Sequence, residues 1–191
     1  MAEILSIARK EFRGFFASPA AYLFLALFAA ACLFVFFWGE AFFARNVADL
    51  EPLFDWLPLL LIFLIAALTM RSWSEERRAG TLESLLTSPV SLWQLVLGKF
   101  LAALGLLCIA LLLTLPLPVT VALLGPLDGG PVLGGYLATL CLGAAYIAIG
   151  LFTSSRTDNP IVALMVTVLI CGLFYLIGSS LVTGLAGYHL G

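Results

Sequence analysis

The chain alternates between long apolar runs and short charged clusters, and the spacing of those clusters sets its organisation. Uncharged runs cover residues 20–38, 56–70, 100–127, 129–155 and 159–188. A helix needs about 20 apolar residues to cross ~30 Å of hydrocarbon. The second run is short and reaches that length only by taking in Leu53, Phe54, Ser72 or Trp73, with Asp55 and Arg71 extending to the interfaces. The pattern predicts an all-α polytopic membrane protein. Its spans lie over about 20–38, 54–72, 100–124, 133–153 and 160–178, within one domain over 1–191.

Punctuation residues fit this division. Ser18-Pro19 and Asn159-Pro160 each place a capping side chain before a proline at the first helical position. Trp38, Trp56 and Trp73 fall at run ends, where interfacial aromatics collect. Pro116 and Pro118 lie inside the third run and are expected to kink or end its helix. Ahead of the first span, residues 2–17 read as an amphipathic helix. Ile4, Leu5, Ala8, Phe12, Phe15 and Phe16 form one face, and Glu3, Ser6, Arg9, Lys10 and Arg13 form the other. Such a helix lies flat in an interface with its aromatics in lipid and its cations at headgroups. The run from residue 20 follows this helix rather than a short basic segment, so it reads as a span and not as a cleaved signal.

Composition narrows the class. Hydrophobic residues make up 63% and charged ones 10%, with a mean hydropathy of +1.15. Soluble domains are roughly 45–50% apolar and about 25% charged, so a soluble core, a disordered chain, a disulfide scaffold and a nucleic-acid binder are excluded. With the N-terminus on the cytoplasmic side, Arg9, Lys10, Arg13, Arg71, Arg77, Arg78, Lys99 and Arg156 all lie inside, and Arg45 alone lies outside. The positive-inside tendency selects that orientation, in an inner membrane. Glu40, Asp49, Glu51, Asp55 and Asp128 then make the external segments acidic. Cys32, Cys108, Cys141 and Cys171 each sit deep in an apolar run without a Cys or His at ligand spacing, and they read as small buried hydrophobes.

Residues 71–99, between spans two and three, carry the densest charge. Arg71, Glu75, Glu76, Arg77, Arg78, Glu83 and Lys99 all lie in this segment. Gly80 breaks the segment leaving span two. Thr81 is a candidate N-cap, with Glu83 in the first turn, where the helix dipole favours an acid. Leu82, Leu85 and Leu86 would form the apolar face of a short helix over 82–87, which Ser88-Pro89 ends. Ser91 and Gln94 form an S-x-x-Q capping box, opening a helix that runs through Gly98 and Lys99 into span three. A short cytosolic helix held between two breaks can receive force from a soluble protein. A loop that only fixed topology would need no paired acids.

This run, W-S-E-E-R-R-A-G-T-L-E-S-L-L-T-S-P-V over residues 73–90 followed by Gly98-Lys99, resembles the signature loop of ABC-2 type exporter permeases. The stretch A-R-K-E-F-R-G-F-F-A-S-P over 8–19 is similar to their entry helix, and the resemblance covers essentially the whole chain. Trp56, residues 69–77 and the acidic first external loop look most like the gliding-motility-associated branch. The resemblance implies a type V exporter-like permease fold. Residues 2–17 would be a connecting helix, with Arg9, Lys10, Phe12, Arg13, Phe15 and Phe16 at the membrane interface. Residues 82–87 would be a coupling helix docked on an ATPase, with Glu75, Glu76, Gly80, Thr81, Leu82, Glu83, Leu85 and Leu86 forming the contact. Arg77 and Arg78 would be gate-region charges. It also implies six spans with a re-entrant helical pair before the last. Gly178-Ser179-Ser180 and Gly184 read as the start of that turn over 179–191, and the sixth span lies beyond residue 191 or is lacking.

No G-x-x-x-x-G-K-[ST] sequence is present, so ATP and Mg²⁺ are expected on a separate ABC ATPase subunit and no cofactor on this chain. His189 has no acid or Cys close by, and no charge falls inside an apolar run, which argues against catalysis and proton coupling. Arg156 and Asp158 read as topology and capping charges. Glycines 134, 135, 143 and 150 of the fourth run predict close helix packing. The leading reading is a permease that works as a homodimer, or with a related permease, in the lipid bilayer and without nucleic acid. The rival is a non-transporting anchor that carries mechanical work to a protein with a large external domain.

Overall fold

The computed structural model describes residues 2–39, 49–80 and 91–178, which form helices and no strand. The first helix, α1 (Ala2–Ala17), turns at Ser18 into α2 (Pro19–Phe34), which closes on a π-helical turn (Val35–Gly39). The second span is α3 (Glu51–Thr69), and after one turn comes the short α4 (Ser74–Arg78). Next are α5 (Leu92–Thr114), α6 (Pro116–Leu124), α7 (Gly129–Arg156) and α8 (Pro160–Gly178). Among the described residues there are five candidate spans by length and hydropathy, with α5 and α6 counted together.

Helix limits follow local chemistry. Pro52 and Glu51 suit a first turn, so α3 begins three residues before the expected second span and ends at Thr69. The α5 helix begins at Leu92, as the Ser91 capping box predicts, ahead of the apolar run from residue 100. The Ser91 hydroxyl accepts from the Gln94 amide, and the Gln94 side chain accepts from the Ser91 amide, completing the capping box. Asp128 accepts from the Gly130 amide and opens α7 ahead of the expected residue 133, and α7 runs on to Arg156. Asn159 Oδ1 accepts from the Ile161 amide at 3.0 Å and its carbonyl from the Ala163 amide, starting α8 at Pro160. Pro116 ends α5 at Thr114, with Leu115 as the cap, and the chain continues as α6.

Helix α3 is central, lying against α7, α8 and α2, while α7 also packs on α5. Phe36, Leu53, Leu57, Leu61, Ile65, Leu106, Leu107, Val121 and Ile147 fill the core. Close approach depends on α7 glycines. A Cβ on Gly135 would strike the Phe54 ring, one on Gly143 the Leu107 side chain, and one on Gly150 the Thr69 side chain. Gly134 faces open space, so the fourth glycine contributes no such contact. On α8, Ile161, Met165, Leu169, Leu173 and Leu176 recur along one exposed apolar face, as expected of a helix whose solvent is lipid. Two cysteines depart from the buried reading. Cys32 and Cys171 are buried, but Cys108 is half-buried and Cys141 is exposed, because its position on α7 points away from the bundle.

The N-terminal helix also departs from expectation. It docks along α5 instead of giving its aromatics wholly to lipid. Phe12, Phe15 and Phe16 are half-buried against the core, and the inward stripe includes Ile7, while Leu5 is 68% exposed. The cause lies on α5, where Gly98 and Gly105 leave room for Ile7 and Phe12. Arg9, Lys10 and Arg13 face outward, on the side opposite this stripe.

Candidate functional site

The docking of α1 on α5 places one acid, Glu11, on a buried stripe, and α5 meets it with one base. Lys99 follows Leu95 and precedes Ala102, Ala103 and Leu106 on the buried face of α5, and its side chain is 2% exposed. An ammonium has three N–H donors, and each finds an acceptor here. Lys99 Nζ donates to the Ser72 carbonyl at 2.8 Å, to Glu76 Oε1 at 2.8 Å and to Glu11 Oε1 at 3.3 Å. The Trp73 ring lies 4.9 Å away, presenting its electron-rich face. One cation therefore joins α1, the turn after α3, α4 and α5.

A second anchor is Ser154 in the last turn of α7, which is fully buried. Its hydroxyl accepts from the Trp73 amide at 3.0 Å and the Ser74 amide at 3.2 Å, and donates to the Met70 carbonyl at 3.2 Å. These amides belong to the turn that enters α4, where no earlier helical carbonyl is available to them. Ser154→Ala strips both of their acceptor in a buried place. We expect a loss of about 1–3 kcal/mol, measurable as a lower denaturation midpoint with unchanged helical content.

Arg77 extends the network to the turn between α7 and α8. Its Nη1 donates to the Ser155 carbonyl at 2.7 Å, and its Nε pairs with Asp158 at 2.8 Å. Asp158 is thus a partner of Arg77 and not merely a cap or topology charge. With side chains 39% and 67% exposed, this pair sits in water-like surroundings and contributes under about 1 kcal/mol. Arg71 and Glu75 form a similar exposed pair at 3.4 Å.

The expected contact residues are thereby divided. Glu75 stands on the surface, whereas its neighbour Glu76 is turned inward to Lys99. Gly80 ends α4 with φ +68°, a left-handed conformation that glycine adopts without strain at a helix C-terminus. Arg78 is exposed. Thr81, Leu82, Glu83, Leu85 and Leu86 lie outside the described residues, as do the re-entrant segment over 179–191 and His189. Of the connecting-helix residues, Phe12, Phe15 and Phe16 face the bundle, while Arg9, Lys10 and Arg13 face out. Lys99, Glu11, Ser154 and Trp73 were not singled out as site residues in the sequence. The signal for Lys99 was its register, four residues after Leu95 on the stripe that continues through Ala103. Among the described residues no three His, Cys, Asp or Glu side chains gather as metal ligands. The arrangement is a mechanical joint, built to hold helices in register.

Comparison with known proteins gives one match by family. A family model described as ABC-2 family transporter protein covers residues 5–191. No curated protein matches the chain.

Proposed function

The chain belongs to the ABC-2 family of transporter proteins, and from that premise we propose that it is the permease subunit through which a separate ABC ATPase drives export across the cytoplasmic membrane. ATP and Mg²⁺ belong to the ATPase, and this chain supplies the path and the gate. Two copies form the membrane unit, with the N-terminus of each on the cytoplasmic side, the orientation that puts eight of the nine basic residues inside and so follows the positive-inside tendency.

The observation that supports this reading best is the position of Lys99. In the chain, residues 82–87, the proposed coupling helix, are flanked by Gly80 at the end of α4 and by the Ser91 cap of α5. Lys99 holds the flanking helices α4 and α5 together through Glu76, and holds α1 to both through Glu11. A push on residues 82–87 therefore moves α1, α4 and α5 as one body. Ser154 passes that movement to α7, and the α3–α7 contact carries it into the bundle. Glu75 stays on the surface, where an ATPase can reach it, whereas Glu76 contributes from within.

The test is co-purification with the co-expressed ABC ATPase subunit. Glu83→Lys and Leu85→Asp are each expected to reduce ATPase recovery about tenfold, equivalent to ~1.4 kcal/mol, without loss of permease. Unchanged recovery in both variants would remove residues 82–87 from the contact.

A further inference from the structure

The docking of α1 on α5 sorts the charges of α1. Both of its acids turn to α5. Glu3 accepts from the Gln94 side chain at 2.8 Å, and Glu11 takes the Lys99 ammonium at 3.3 Å. Its three cations, Arg9, Lys10 and Arg13, stay exposed, and among the described residues none of them lies in an ion pair. Arg9 and Arg13 stand one turn apart on the same side of the helix, with Lys10 beside Arg9. Like charges at this spacing repel. The acids that could offset them point elsewhere, so the folded bundle leaves this patch without a counterion.

All three cations line an open groove of about 860 Å³ along the outer edge of the α1–α5 contact. Leu5, Ala8 and Phe12 of α1, with Leu101 and Ala102 of α5, form its apolar wall. Leu5 and Leu101 are exposed in it. Leu101 and Ala102 fall just inside the uncharged run that begins at residue 100, so this wall reaches hydrocarbon depth. The cations beside it mark headgroup depth. A soluble protein with an acidic surface can meet the cations but not Leu101. A molecule with an anionic head and an acyl chain meets both. Clusters of Lys and Arg on an amphipathic helix attract anionic lipid in this way, with about a fivefold gain in affinity for each cation.

We propose that the groove between α1 and α5 holds an anionic phospholipid of the cytoplasmic leaflet, with its phosphate at Arg9, Lys10 and Arg13 and an acyl chain against Leu5, Phe12 and Leu101. Arginine takes phosphate through paired N–H donors, and lysine takes it as a point charge. The bound lipid offsets the repulsion along α1 and seats that helix on α5, next to the Lys99 joint. The leaflet follows from the orientation proposed above, whereas the site itself needs no ATPase contact.

Native mass spectrometry of the full chain in detergent tests it, with equal amounts of phosphatidylglycerol and of phosphatidylcholine, whose choline cation cancels the phosphate charge. Wild type is expected to retain phosphatidylglycerol preferentially. Arg9→Gln and Arg13→Gln should each lower that preference about fivefold, with helical content unchanged. Arg156→Gln removes an exposed cation outside the groove and should change the preference less than about twofold. Excess glycerol phosphate should leave the lipid in place, because the acyl contact is part of the site. Equal retention of the two lipids by wild type overturns the proposal. So does an equal loss in Arg156→Gln and Arg9→Gln, which would make the effect one of overall charge. Displacement by glycerol phosphate would reduce the groove to an anion site with no place for a chain, and the proposal would fall. It would fall equally if Arg9→Gln and Arg13→Gln kept the lipid preference but lost the co-purified ATPase, since an acidic protein surface would then cover the cations.

Discussion

Replacing Lys99 by methionine is expected to be the most damaging single change outside the proline and glycine positions. The side chain is 2% exposed and serves three acceptors at once. Removing one partner of a buried ionic cluster generally costs about 3–5 kcal/mol, because charges stay behind without their counterion. Here Glu76 and Glu11, with side chains 23% and 25% exposed, can recover part of their hydration, which places the loss toward the lower end of that range. The Ser72 carbonyl also loses its donor. Lys99→Arg is not a remedy, since a planar guanidinium needs a wider fork than a compact ammonium. Lys99→Met combined with Glu76→Gln should recover roughly 0.5–3 kcal/mol as a coupling energy between neighbours. Thermal unfolding of the detergent-solubilised protein checks the stability. Hydrolysis of ATP by the assembled complex checks the joint, which should uncouple in Lys99→Met even at temperatures where the permease stays folded. A single mutant that melts with the wild type would show that the cation contributes nothing to holding α1, α4 and α5 together.

Gly150→Leu is the second large effect. Even a Cβ at this position would overlap the Thr69 side chain, whose hydroxyl is already fixed by its bond to the Ile65 carbonyl at 2.8 Å. The C-terminal ends of α3 and α7 would have to separate, and overpacking of this kind costs about 1–3 kcal/mol or more. Thr69→Ala should relieve part of the strain caused by Gly150→Ala, since it removes the nearest atom, the Thr69 hydroxyl oxygen, and leaves Cβ at 2.9 Å. Gly134→Ala provides the contrast on the same helix. Nothing lies within 4 Å of its added methyl group, so it should melt with the wild type or slightly above it. Equal melting of Gly150→Leu and Gly134→Ala would contradict the close approach of α3 and α7.

Local signals were legible where their physics is local. The Ser91 box, the Asn159-Pro160 start, the Pro116 break and the Gly80 stop each act within a few residues, and each stands in the structure where the sequence reading put it. The amphipathic N-terminus was legible as a helix but not in its rotation. Leu5 and Ile7 are equally apolar, and only the space over Gly98 decides that Ile7 goes in. The glycines of α7 were recognised as packing positions, yet Gly134 and Gly135 differ only in what stands opposite them.

The candidate site was legible as a segment and not as a constellation. The charge cluster after span two pointed to a force-receiving surface, and the family match over residues 5–191 agrees with the protein class it suggested. Glu75 and Glu76 look alike in sequence, but one pairs with Arg71 on the surface and the other with Lys99 in the interior. Asp158 reads as a capping charge in the sequence, whereas in the structure it pairs with Arg77.

The sequence by itself determined the solvent, the number of apolar segments and the caps that start and stop them, because hydrophobicity and capping act over one or two helical turns. Only the tertiary structure decided which charges meet. Lys99 lies 88 residues from Glu11 and 23 from Glu76, and Ser154 lies 81 residues from Trp73. Such pairings have no periodicity along the chain. They arise because burying the apolar stripes fixes how each helix is rotated, and that rotation carries the few polar groups to one another.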